Sequence, residues 1–340
     1  MKKISITIAL FIAAIITGYA QEAKDDFKPS GKGTGTVFFN YHNDFTKDVT
    51  QKSGFEIERA YLGYVYNFSK TISAKVVYDV GYDATVKTYT GYVKNAMLDW
   101  KIDPAVKLSM GLIGAKQFDT QEKFWGHRYI MKTHADQYGL GTSADLGVNF
   151  EIKASEKVMF NAFMLNGEGY KALQDANGNH RIGANAIVNP VKGLTLKIHY
   201  DILPTTVADN DVTISNLSAF AGFEFNEKTK LGIEYNLLNN GEGYKKPFED
   251  KTLGGISAYA SHQINSKFEI FTRYDTLLSN ELAGATDNWN YAKDGSLLIL
   301  GAQYSPLKGV YTSLNYQTWM YDNSDIDNRN GIYLNLGVTF

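Results

Sequence analysis

The chain contains no cysteine. That excludes a disulfide framework, thiolate metal sites and a lipid-modified lipoprotein cysteine. Proline is scarce, with six in 340 residues, and arginine is scarcer: Arg59, Arg128, Arg181, Arg273 and Arg329 are the whole complement. The formal charge is only −2, so no field of one sign is available to attract a nucleic acid. Long apolar runs are missing too. Apart from residues 4–16, nothing approaches the roughly 20 residues that a membrane-spanning helix requires. The chain also has no Gly-rich phosphate loop and no His/Glu metal motif at helical spacing, so neither a cofactor nor a metal is expected.

What is abundant is glycine (31), tyrosine (23) and phenylalanine (19). Aromatic and β-branched enrichment with little proline favours strands over helices. Residues 1–20 have the build of a secretory signal: Lys2 and Lys3, an apolar stretch, then Gly18 and Ala20 before Gln21. Removing that segment takes the charge from −2 to −4, because its two lysines are its only charged residues. Residues 21–32 are polar and read as a flexible periplasmic lead-in. Residues 33–340 read as one large all-β domain.

The strand pattern is clearest at the end of the chain. Ile332, Leu334, Leu336, Val338 and Phe340 share one parity, while Tyr333, Asn335, Gly337 and Thr339 share the other. The same alternation recurs upstream in runs of roughly nine to twelve residues, long enough for a tilted strand to cross an outer membrane. Sixteen such runs can be counted. Seven connections are very short and rich in turn residues, at 67–71, 103–105, 153–157, 189–193, 226–228, 265–266 and 305–309. The other connections read as long polar loops, at 43–54, 82–92, 114–142, 166–180, 203–214, 238–252, 278–295 and 320–330. Short turns on one side and long loops on the other predict a sixteen-stranded antiparallel transmembrane β-barrel, with the turns periplasmic and the loops extracellular. A soluble β-sandwich would also alternate, but it explains neither the two-sided connections nor the Tyr, Phe and Trp that bound the greasy faces.

At sixteen strands, side chains cannot fill the lumen, so a water-filled channel is expected. The inward parity places Arg59, Lys75, Asp79, Arg181, Lys197, Asp201, Arg273 and Asp275 on its wall, with both signs mixed. Residues 114–141 form the longest interval between short turns, and a loop folded into the lumen would supply the constriction a wide pore needs. Lys116, Lys123, Trp125, His127, Arg128, Lys132 and His134 are its candidate constriction residues, with Phe118, Phe124, Trp125 and Tyr129 as anchors against the wall. The competing placement is over the rim or against a neighbouring subunit. Enzyme or adhesin readings rest on less. No histidine has a serine two positions on, as barrel phospholipases require, and His42 with Asp44 supplies half of a rim protease pair. Asp/Asn-rich loops at 175–179 and 322–330 do not match the twelve-residue calcium loop and read as polar tips.

The segments FEIERAYLGYVYNF (55–68), ADLGVNF (144–150), FEIFTRYDTL (268–277) and GIYLNLGVTF (331–340) together resemble the phosphate-selective porin O/P family. The resemblance spans nearly the whole chain after the signal segment. It implies an outer-membrane barrel in lipid, a homotrimer, and passage of small hydrophilic or anionic solutes. Phosphate-selective members carry a ladder of arginines and lysines, whereas acids here match bases along the wall. A general diffusion channel with a slight anion preference is therefore expected.

Overall fold

The computed structural model describes residues 27–47, 50, 52–174, 178–207 and 210–340. The signal segment lies outside the described residues. The first eight strands are β1 (Ser30–Asp44), β2 (Ser53–Asn67), β3 (Ile72–Asp83), β4 (Thr88–Lys101), β5 (Val106–Gly114), β6 (Ala144–Lys153), β7 (Val158–Leu165) and β8 (Arg181–Val188). The second eight are β9 (Leu194–Val207), β10 (Asn210–Phe225), β11 (Thr229–Gly243), β12 (Lys246–Gln263), β13 (Phe268–Ser279), β14 (Gly295–Leu307), β15 (Val310–Tyr321) and β16 (Arg329–Thr339). Two short helices, α1 (Asp119–Trp125) and α2 (His134–Gln137), lie in the connection between β5 and β6, here called loop 3.

Every strand pairs antiparallel with its sequence neighbours, and β1 pairs with β16 to close a sixteen-stranded barrel. The seam register sets Val37 opposite Val338 and Asn40 opposite Asn335. Reciprocal 2.9 Å backbone bonds between Gly35 and Phe340 extend it by one rung. The alternation seen in the sequence is turned inside out relative to a water-soluble domain. Leu62, Tyr64, Ile198, Ile233, Leu314 and Leu334 are exposed, while Asp79, Asn149, His199, Glu234 and Asn335 are buried. Each such apolar side chain left in water forgoes about 1.5–3 kcal/mol, so a continuous outer belt of them is stable only against hydrocarbon.

Three expectations need correction. First, β1 begins inside the segment read as a lead-in: Ser30, Gly31 and Lys32 already pair with Asn67, Tyr66 and Val65. Second, three connections read as long loops are extended hairpins. β3 and β4 are joined by residues 84–87, β9 and β10 by 208–209, and β11 and β12 by 244–245. Their outer halves are rich in Thr, Asn, Asp and Gly, which continue the hydrogen-bond ladder beyond the apolar belt without its alternation.

Third, the parity is not unbroken. The register slips by one residue in β2, where Phe38 faces Arg59 and Phe39 faces Ile57, leaving Glu58 extra. It slips again in β4, where Val77 faces Asn95 and Tyr78 faces Val93, leaving Lys94 extra. Such bulges re-aim a side chain. Lys94 lies on the parity of lipid-facing Ala96 and Leu98, yet its Nζ stands 4.4 Å above the inward ring of Tyr61.

Candidate functional site

Loop 3 lies inside the barrel. Its hydrophobic side chains fall into two clusters with inward residues of the wall. One joins Phe118, Ala135 and Leu140 to Leu203, Ile214, Leu238, Leu253 and Leu277. The other joins Trp125, Tyr129 and Ile130 to Phe220, Tyr259, Phe271, Leu297 and Ile299. Trp125, at 2% exposure, meets Tyr259 at 5.3 Å and the edge of Phe271 at 6.1 Å between ring centroids. Phe118, Trp125 and Tyr129, expected as anchors, are all buried, and Phe124 packs partly buried on Phe220.

Polar bonds fix the same seat. Tyr129 donates to Gln303 Oε1 at 2.8 Å, and Asn335 Nδ2 donates to the Tyr129 carbonyl at 3.5 Å. Lys197 Nζ reaches Asp119 at 2.8 Å. Asn185 donates to the Lys116 carbonyl at 3.2 Å and closes an amide row with Asn161 and Asn149. Arg273 forks onto Asp275 at 2.6 and 2.8 Å and donates its remaining arm to the Lys132 carbonyl at 2.6 Å. His134 Nε2 lies 2.8 Å from the Thr276 carbonyl, while Asn236 donates to Nδ1 at 3.3 Å. Those partners require the neutral imidazole with its proton on Nε2. Burial, opposed by Asp275, holds the His134 pKa below the usual imidazole range.

The wall is hollowed where the loop presses on it. A Cβ on Gly255 would stand 2.9 Å from His134 Nε2, and one on Gly337 would stand 3.0 Å from the Tyr129 ring. Glycine there permits a close approach that any larger residue would block.

The residues singled out from sequence therefore divide into two groups. Trp125, His127 and His134 face the wall and are buried, so they hold the loop rather than line water. His127 stacks on Phe271 at 4.4 Å and sets Nε2 3.0 Å from Glu269. Asp79, Arg181, Lys197, Asp201, Arg273 and Asp275, expected as lumen wall, are sealed beneath the loops. Arg181 pairs with Asp201 and also donates to the carbonyl of Tyr244, at the inturned tip of the β11–β12 hairpin. His199 and Asp201, two positions apart on the inward face of β9, lie 2.8 Å apart and are buried.

The second group remains partly open. On the loop edge, Lys123 is exposed, Lys116 pairs with Asp119 (3.5 Å) and Glu151 (3.7 Å), and Lys132 pairs with Asp136 (3.6 Å). Arg128 lies 3.5 Å from both Glu122 and the Tyr61 hydroxyl. On the facing wall, Arg59 pairs with Asp79 at 3.5 Å, Lys75 is half-buried, and Lys94 joins through its bulge. Tyr170, from the connection between β7 and β8, donates to Asp79 at 2.7 Å and adds a second inward loop. Lys94 and Glu58 were missed from sequence. The available signal was a charge on a parity otherwise occupied by lipid-facing residues. In the loop at 322–330, Asn323 and Asn328 spend their side-chain oxygens on backbone N–H groups. Residues 175–177 of the other Asp/Asn-rich stretch lie outside the described residues.

No family model matches the chain, and no curated protein matches it by sequence. Among solved structures, the outer-membrane channel DcaP of Acinetobacter baumannii superposes with a TM-score of 0.69 at 11% identity, covering 94% of this chain and 100% of that one. Salmonella typhi OmpF, in complex with daunomycin, gives 0.69 at 13% identity, covering 91% and 97%. An anion-selective porin from Comamonas acidovorans gives 0.64 at 11%, covering 92% and 100%. The likeness is one of fold. It extends over 91–94% of this chain and 97–100% of each of the others.

Proposed function

We propose that the chain is an outer-membrane porin that passes small hydrophilic solutes and ions by passive diffusion. The observation that carries this reading is the position of loop 3: it packs on the inward wall from β8 round to β16 and leaves a charged edge opposite β2–β4. A wide lumen narrowed by a fixed loop is a filter that needs no moving part. The connections at the short-turn end would lie in the periplasm and loop 3 would enter from outside.

Two finer points belong to the same reading. The free edge offers Lys116, Lys123, Arg128 and Lys132 against Asp119, Glu122 and Asp136, and the facing wall adds Arg59, Lys75 and Lys94 against Asp79. That balance supports a slight anion preference rather than the strong phosphate selectivity of a continuous arginine and lysine ladder. A homotrimer in the membrane is the assembly that resemblance implies, and crosslinking in native outer membranes tests it.

Single-channel recording in planar bilayers tests the function. Folded protein should give stable ohmic steps. The triple variant Lys123→Glu, Arg128→Glu, Lys132→Glu should move the reversal potential in a salt gradient toward cations. An unchanged potential would place the filter elsewhere, and no current from folded protein would overturn the porin reading.

A further inference from the structure

At the end of the long loops, the lumen keeps a cavity of about 660 Å³ between loop 3 and the inner walls of β14–β16, β1 and β2. Its volume lies within the roughly 300–1,000 Å³ of sites that enclose drug-sized ligands. Five aromatic rings border it: Tyr138 from loop 3, Trp289 from the β13–β14 connection, Trp319 and Tyr321 from β15, and Tyr333 from β16. Trp319 is central, with Tyr138 at 5.6 Å and Tyr321 at 6.1 Å between centroids. All five are partly exposed.

Three of these rings carry polar atoms with nothing to bind. Among the described residues, the Trp319 indole N–H and the Tyr321 and Tyr333 hydroxyls have no hydrogen-bond partner, whereas Trp289 and Tyr138 spend theirs on Thr252 and Asp275. The charges around the cavity nearly cancel: Asp44, Glu56, Glu58 and Glu242 stand against Lys246, Lys293 and Arg329. Arg329 and Asp44 lie within 3.9 Å of each other, and Glu242 is paired with Lys251. Flat apolar faces edged by unpaired donors, with no dominant charge, match a ring that has C–H groups on its faces and hydroxyls on its rim.

We propose that this cavity is a binding site for neutral saccharides, occupied before they pass loop 3. The proposal rests on the channel reading and names a solute class for it. Stacking on Trp319 orients each sugar ring along β15, and the free hydroxyls and indole N–H exchange hydrogen bonds with sugar hydroxyls as the solute advances. Affinity is weak, because a site on a conduction path must release what it binds.

The test uses the folded full chain in planar bilayers and in detergent, with maltotriose, cellotriose and raffinose as probes. At least one trisaccharide should reduce the current saturably, with half-block in the millimolar range, and should change tryptophan fluorescence over the same concentrations. Trp319→Ala should raise the half-block concentration roughly two- to tenfold, read against its own sugar-free current, and Trp319→Phe should recover part of the loss. Since Trp319 also touches both loop clusters, Tyr333→Ala on the neighbouring strand β16 serves as a second variant with the same expected direction. A sugar-free current with neither block nor fluorescence change by any of the three sugars overturns the proposal and leaves the channel reading intact. Block by benzyltrimethylammonium alone would assign the cavity to organic cations and also overturn it. Absence of any current refutes the channel, while fluorescence still reads saccharide binding.

Discussion

Arg273 has almost no access to solvent, and its donors are divided between the Asp275 carboxylate and the Lys132 carbonyl. Arg273→Met leaves Asp275 buried without its counter-charge, a change that costs on the order of 3–5 kcal/mol. The strand ladder of β13 does not depend on that side chain, so the loss falls on the seating of loop 3. Hydrogen exchange of amides 130–138 should accelerate and single-channel conductance should rise, whereas Lys123→Met, at an exposed position, should leave exchange unchanged. The inward placement of Arg273 could be read from strand parity, because neighbouring Ile270 and Tyr274 are greasy and outward. Its concealment could not, since that depends on which backbone loop 3 brings to it. Glu58 and Lys94 escaped for a related reason: a bulge breaks the period-two rule at one residue, and only the partner strand shows the slip.

At the scale of the element, α2 is held by a histidine that must stay neutral. His134 has its pKa lowered mainly by burial, with Asp275 favouring the charged form and Arg273 opposing it. A base with a depressed folded-state pKa contributes stability in full above its unfolded value of about 6.5, and that contribution is lost as pH falls. The protection factors of the α2 amides, corrected for the intrinsic pH dependence of exchange, should therefore fall as pH drops from 7 toward about 5. His134→Gln, which keeps a donor for the Thr276 carbonyl and an acceptor for Asn236, should flatten the dependence. The comparison separates the effect of His134 from that of His127, which sits beside Glu269.

Strands inside the apolar belt were legible because lipid demands alternation at every second residue. Their continuations in β3–β4, β9–β10 and β11–β12 were not, because water on both faces makes no such demand and Thr- or Asn-rich ladders resemble loops. Loop 3 was legible as an outlier in length and aromatic content. Its helices were not, since seven- and four-residue turns draw their stability from the wall.

For the whole molecule, the barrel and its filter are separable. The ladder closes through backbone bonds between neighbouring strands, with no contribution from residues 118–138. Replacing that segment with a short Gly/Ser linker should preserve the strand signal in circular dichroism while raising conductance several-fold. Loss of the strand signal would mean that the loop is needed for closure itself. Folding yield is a different matter.

Loop 3 is fastened to β8 through Asn185 and to β16 through Asn335 and the hollow at Gly337. Those two walls face a common interior only once the first and last strands have met. Tyr129 rests on β14, β15 and β16, so a sheet still open at that seam offers the loop only one of its two walls, and a finished cylinder leaves little room to thread a folded segment through its mouth. The loop is thus a mandrel around which the sheet is rolled, and changes that unseat Tyr129 should slow assembly as well as widen the pore.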